Sequence, residues 1–162
     1  MKAYHCGVAA EAYAAALFAH AGCDVLVQYG ANQPEYDLLV VRGKHRVKVS
    51  VKGSQDGGWL LAARYKRAGR TYAEAIDAWE QGHADKTVLY CFVQFKGVTL
   101  GAMPRVYLAK VDEVAAYLKR SRAGQGHLSL RENYTWRKGP AAGTVDCIPQ
   151  GWRFEERIKL LM

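Results

Sequence analysis

The chain has few cysteines and few prolines, four of each in 162 residues, and its cysteines do not pair. Cys6, Cys23, Cys91 and Cys147 stand far apart with no C-x-x-C, and the five histidines complete no H-x-x-x-H or H-E-x-x-H with them. That spacing argues against a structural zinc site. Cys91 falls inside the apolar run 88–93 and reads as a buried thiol, which suits a reducing compartment such as the cytoplasm better than an oxidising one. Long apolar runs are missing as well. The longest, 12–19, has eight residues, against the ~20 that a membrane span requires. Lys2 followed by alanines and Ala19-His20-Ala21 has the outline of a signal peptide, but Glu11 interrupts its hydrophobic region, so the segment is expected to be a helix of the folded protein. Neither G-x-G-x-x-G nor G-x-x-x-x-G-K-[ST] occurs, which excludes nucleotide-binding enzymes of those types.

What is present is a globular composition. Hydrophobic residues make up 50% of the chain and charged ones 23%, and a chain of this length buries roughly two-thirds of its surface on folding. It needs no staple. One domain is expected over 1–162, with a core at about 5–100 and a C-terminal addition at about 101–162.

The net charge is +8, and its placement is uneven. Between Arg42 and Arg70 stand nine basic residues (Arg42, Lys44, Arg46, Lys48, Lys52, Arg64, Lys66, Arg67, Arg70) and one acid, Asp56, a local excess of +8. The remainder, with 14 basic and 14 acidic residues, is neutral. A polyanionic partner follows, with Lys48, Arg64, Lys66, Arg67 and Arg70 as the residues that would meet it. Alternating outward-facing charges on a wet sheet would give the same count with no partner.

Alanine-rich residues 7–21 predict a first helix, stopped by Gly22. Segments 24–28, 36–42 and 46–52 predict strands, the last two forming a hairpin around Gly43 and Lys44, with a loop containing Gly30, Asn32 and Pro34 before them. Pairing sums of 87 to 89 put Asp37 opposite residue 50, 51 or 52, so Asp37 and Lys52 are expected neighbours. A fourth strand over 59–64 is weaker. Thr71 and Glu74 form a T-x-x-E box that opens a helix over about 71–82. The run 87–95 is too apolar for a half-exposed strand and should be central. Further on, 105–108 reads as a strand, 112–121 as a helix and 152–161 as a terminal helix. This order predicts an α/β fold with a mixed sheet covered by helices.

Three residues stand out against this background. Glu11 is the only charged residue between Lys2 and Asp24, on a helix apolar nearly all round, and needs a partner or a solvent edge. Asp37 opens an apolar strand although Asp is disfavoured in strands, and Lys52 ends the strand opposite. As packing alone, the last two would be a cross-strand ion pair. As chemistry, a carboxylate that anchors a metal beside a cation is what phosphodiester cleavage requires.

These residues resemble the PD-(D/E)xK nuclease superfamily, which includes many restriction endonucleases and archaeal Holliday-junction resolvases. Glu11 in GVAAEAY matches the family's helix Glu, Asp37 in PEYDLLVV its strand Asp, and Lys52 in VKVSVKGS its Lys. The resemblance covers roughly residues 7 to 95. It implies a restriction-endonuclease-like mixed central sheet flanked by helices, a Mg²⁺ ion (Mn²⁺ as an alternative), and catalytic roles for Glu11, Asp37 and Lys52. Asp37, the carbonyl of Val51 and Glu11 through water would be the metal ligands. One position departs. Ser50 stands where the family has Asp, Glu or in some branches Gln, so one anionic ligand is missing; Asp56, Glu35 and Glu74 are the nearest replacement acids in sequence. Two main readings follow: a Mg²⁺-dependent DNA endonuclease, with a homodimer the usual arrangement where both strands are cut, or a non-catalytic nucleic-acid-binding module on the same fold. A third is an interaction domain whose basic face meets an acidic protein. Ser54, Cys6 beside His5, and the His20 and Cys23 pair are isolated and read as structural; the four tryptophans read as core.

Overall fold

A computed structural model describes residues 1–28 and 35–161; the loop expected around Gly30, Asn32 and Pro34 lies outside them. The first helix, α1 (Ala3–His20), begins four residues before Gly7 and buries one narrow stripe, Cys6, Ala10, Ala14 and Phe18, at a spacing of four. Three of those four side chains are small, so the helix axis can lie close to whatever it covers. Strands β1 (Asp24–Val27), β2 (Leu38–Arg42) and β3 (His45–Ser54) follow. The β2–β3 turn is Gly43-Lys44, with Gly43 at φ 59°, a conformation that glycine adopts without strain. Register sums to 87, with Leu38 opposite Val49, so Asp37 falls beside Ser50, with Lys52 two residues further along the same face.

The segment expected as a fourth strand over 59–64 is shorter. Strand β4 (Gly58–Leu60) stops where Ala62 is buried and the 3₁₀ turn Ala63–Tyr65 begins, closed by Tyr65 N–H on the Ala62 carbonyl. Helix α2 (Tyr72–Gln81) has the complete capping box: Thr71 accepts from the Glu74 N–H, and Glu74 accepts from the Thr71 N–H at 2.7 Å. Strand β5 (Leu89–Gln94) has all six residues buried, as a central strand must. It lies between β3, parallel, and β6 (Arg105–Lys110), antiparallel, in a sheet of order β1-β2-β3-β5-β6. Only the parallel β3–β5 pair needs a crossover, and α2 supplies it.

Helix α3 (Val111–Arg120) follows β6 without a loop. Short strands β7 (Ser129–Arg131), β8 (Asn133–Thr135) and β9 (Val145–Cys147) then make two small ladders, β4 with β7 and β8 with β9, before α4 (Phe154–Leu161). The sheet separates two apolar clusters. On one face α1 and Phe154 pack on Leu38, Val40, Val49, Val51, Cys91 and Leu108. On the other, α2 and α3 pack on Tyr90, Phe92, Tyr107 and Trp59. Among the described residues no helix is long and apolar enough to cross a membrane, and Cys91 is the fully buried thiol expected.

Helix α1 and strand β3 approach each other closely at Gly53. A Cβ built on Gly53 would lie 2.7 Å from the Cys6 carbonyl oxygen and 2.9 Å from the Ala10 Cβ. Only glycine lets the strand pass there. Gly53→Ala should therefore lift α1 from the sheet and destabilise the fold by about 1–3 kcal/mol, read as a lowered urea midpoint. A wild-type midpoint would mean that α1 is free to shift.

Candidate active site

Asp37 sits where the β2–β3 ladder ends. Its N–H donates to the Val49 carbonyl (2.8 Å), and its own carbonyl accepts from Gln28 N–H (3.0 Å). Its carboxylate then takes the place of the next backbone acceptor. Oδ2 accepts the Val51 N–H at 2.6 Å and the Ser50 hydroxyl at 3.4 Å. An Asp in a strand is thus accounted for locally, since it satisfies a backbone donor that β2 no longer reaches. The expectation that Lys52 would be the direct neighbour of Asp37 is corrected here: Ser50 and Val51 are the contacts, because the two-residue turn sets the register at the low end of the expected range.

Lys52 keeps its ammonium unbonded among the described residues, while its carbonyl is pinned by Trp59 Nε1 at 2.8 Å. Trp59 is itself wedged against Phe92 and Tyr107, so the β3 backbone at Lys52 is fixed from the α2 side and, through Gly53, from the α1 side. Glu11 is one residue on from Ala10, which touches Gly53. Its half-buried carboxyl is pushed above the ordinary glutamate range, first by burial, then by the charge of Asp37, with Lys52 pulling the other way. Helix and hairpin thereby bring Glu11, Asp37 and Lys52 into one electrostatic neighbourhood.

A cleft of about 410 Å³ opens beside Lys52, between the start of α1 (Cys6, Gly7) and the end of β3 (Ser54), the loop after it (Asp56) and β4 (Trp59). Asp37 and Glu11 do not line it. Cys6 lines the cleft, and burial and Asp56 hold its thiol above the usual range, the chain's N-terminus pulling the other way. The three acids nearest Ser50 in sequence now have positions. Glu35 accepts the N–H groups of Ala84 and Asp85, and Glu74 caps α2. Asp56 lines the cleft with Lys52, its Oδ1 accepting from Ser54 Oγ (2.9 Å) and Gly58 N–H (3.2 Å). Among the described residues no three His, Cys, Asp or Glu side chains form a group that could hold a metal ion.

The basic residues divide. Lys48 is paired with Asp85 at 2.7 Å and lies over the Tyr36 ring, so its charge is largely neutralised in place. Arg64 stacks on Tyr65 and donates to its hydroxyl, Lys66 lies over Tyr72, Arg70 donates to the Tyr65 carbonyl, and Arg67 is exposed. None of these four forms an ion pair among the described residues. Gly53 and Trp59, which hold Lys52 from its two sides, have no motif of their own in the sequence. The G after the V-K of VKGS was the only sign of the first.

The raised Glu11 carboxyl makes stability depend on pH. Below the ordinary glutamate range the group is protonated both folded and unfolded. As pH rises through the raised folded value, charge must build at a site that resists it, and stability is lost. Wild type should therefore lose stability relative to Glu11→Gln as pH rises across that interval, followed by urea unfolding at a series of pH values. A constant difference between the two proteins would mean that Glu11 is solvated like any surface glutamate.

No protein-family model matches the chain, and no curated protein matches it. Among solved structures the chain is similar to a bacterial homing endonuclease, I-Ssp6803I, with a TM-score of 0.52 and 15% sequence identity over 97% of this chain and 92% of that one. At that identity the likeness speaks for the fold. Together with the five-stranded mixed sheet and its flanking helices, it is an endonuclease-like α/β fold.

Proposed function

We propose that the chain is a metal-dependent DNA endonuclease, or a close relative, of the PD-(D/E)xK type, which hydrolyses phosphodiester bonds. What supports this reading is that the charges of Asp37 and Lys52 both act on Glu11, while Asp37 is held on the Val51 N–H and the Lys52 ammonium is unbonded among the described residues. These are hard oxygen donors beside a cation, the set that suits Mg²⁺ or Mn²⁺. Asp37 would offer its second carboxylate oxygen, Val51 its carbonyl and Glu11 a contact through water. A bound divalent ion would polarise the phosphoryl oxygen and acidify a water. Lys52 orients the attacking water or takes its proton and balances charge that develops on phosphorus. Arg64, Lys66, Arg67 and Arg70 hold the phosphate backbone, and Lys48 joins them only if Asp85 releases it.

A second reading has its own support. With Ser50 donating to Asp37 and no cluster of three metal-ligating side chains among the described residues, the chain would bind nucleic acid without cutting it. The two separate in one experiment. The endonuclease should nick supercoiled DNA with Mn²⁺ better than with Mg²⁺ and not at all in EDTA, and Asp37→Asn or Lys52→Ala should cost about 100-fold or more. Ser50→Glu should raise divalent-metal affinity by calorimetry, and the same change on Asp37→Asn should not. Negligible metal binding by all these proteins, with DNA binding intact, would leave the binding module.

A further inference from the structure

Outside 42–70 the charge is balanced in sum but not in space. Residues 119–138 hold six basic side chains (Lys119, Arg120, Arg122, Arg131, Arg137, Lys138) against one acid, Glu132. Two of these seven charges are spent locally: Lys119 pairs with Asp77, and Glu132 is held by Arg105 and the Tyr107 hydroxyl. The other cations have no carboxylate partner among the described residues, and three are ordered on rings. Arg120 lies 5.0 Å from the Tyr117 ring centre, Arg131 4.9 Å from that of Tyr134, and Arg122 5.5 Å from that of Trp136.

The rings belong to a built surface. Tyr134 and Trp136 meet edge to face at 4.8 Å, and His127 closes on Trp136 at 5.0 Å. Trp136 Nε1 donates to Asp146 at 2.8 Å, and the same carboxylate accepts the Arg122 N–H at 3.1 Å. The hairpin is locked beyond β8 by Trp136 N–H on the Thr144 carbonyl and Gly143 N–H on the Trp136 carbonyl. That leaves Asn133, Tyr134 and Thr135 exposed along β8, and Arg137 and Lys138 exposed at the tip.

Two contacts join this surface to the candidate site. Arg131 pairs with Gly58 across β4–β7, its Nη1 only 3.2 Å from where a Gly58 Cβ would stand, and Gly58 lines the Lys52 cleft. Gly126 packs against Tyr72, whose ring carries Lys66.

We infer that the β8–β9 hairpin with Arg122 and Arg131 is a second nucleic-acid-contact surface, continuous with the basic turn at 64–70, which grips the backbone of duplex DNA beside the Lys52 cleft. The inference rests on the nuclease-like reading above. Cations already ordered on rings lose little freedom on meeting phosphates, and the exposed edge of Tyr134 offers a flat apolar contact to a sugar or base. Arg137 and Lys138 supply unpaired charge at the projecting end, where a backbone is met first.

The test is binding of a short DNA duplex over a salt series by fluorescence anisotropy. Arg137→Glu with Lys138→Glu, checked for an unchanged circular-dichroism spectrum, should weaken binding about tenfold or more and flatten the slope of log K against log[salt] by about two. Arg137→Gln with Lys138→Gln should move both in the same direction by less. Retention of wild-type affinity and slope in both hairpin variants, while Lys66→Glu with Arg67→Glu weakens binding, would overturn the hairpin surface and leave the nuclease-like reading standing. Failure of wild type to bind any duplex at low salt would overturn that reading itself. Competition by polyglutamate as effective as that by DNA would overturn the assignment to nucleic acid.

Discussion

The approach of α1 to β3 at Gly53 sets the geometry on which the candidate site depends. Because residue 53 has no Cβ, the Cys6–Ala10 turn of the helix rests directly on the strand, and the small side chains of Ala10 and Ala14 keep it close along its length. Glu11, next to that contact and just off the buried stripe, is carried with it toward Lys52. A bulkier stripe would seat the same helix further out and leave its one acid in water. The alanine content of α1 thus does more than favour helix: it brings the helix acid up to the sheet.

At the other end of the site, Asp37 has a structural duty before any chemical one. Its Oδ2 replaces the backbone acceptor that β2 no longer provides to Val51, so the carboxylate is oriented by the end of the ladder and not by a ligand. This preorganises one oxygen and commits it. Ser50, facing the same carboxylate, donates a hydrogen bond to it and adds no anion of its own. Burial first, and then the charge of Asp37, make Glu11 resist ionisation, with Lys52 pulling the other way. A divalent ion between the two carboxylates would relieve that conflict, which links the electrostatics of the site to its proposed chemistry.

The charge pattern shows how a count along the chain differs from a count on a surface. The stretch 42–70 holds the whole net excess, yet Lys48 within it is neutralised by Asp85 from the loop before β5. The nominally neutral remainder contains a +5 run at 119–138, because its balancing acids lie elsewhere. A sliding charge window would have found the run. It would not have found that β4–β7 pairing and the Tyr72–Gly126 contact place it against the other.

Local patterns determined much of the architecture. Alanine content and Gly22 specified α1, the T-x-x-E box α2, unbroken apolarity the central position of β5, and alternation around Gly43-Lys44 the β2–β3 hairpin, each through forces that act over a few residues. The same hairpin arithmetic placed Asp37 opposite residue 50, 51 or 52, since register follows from turn length, and the two-residue turn selects the first of these. Tertiary structure decided the rest. That β4 pairs with β7 outside the main sheet, that Trp59 pins the Lys52 carbonyl, that Asp56 lines the Lys52 cleft while Glu35 and Glu74 are engaged elsewhere, and that α1 packs on β3 at Gly53 all depend on how separate elements pack together. No local periodicity encodes them, because they arise from which surfaces are left to bury once each element has formed.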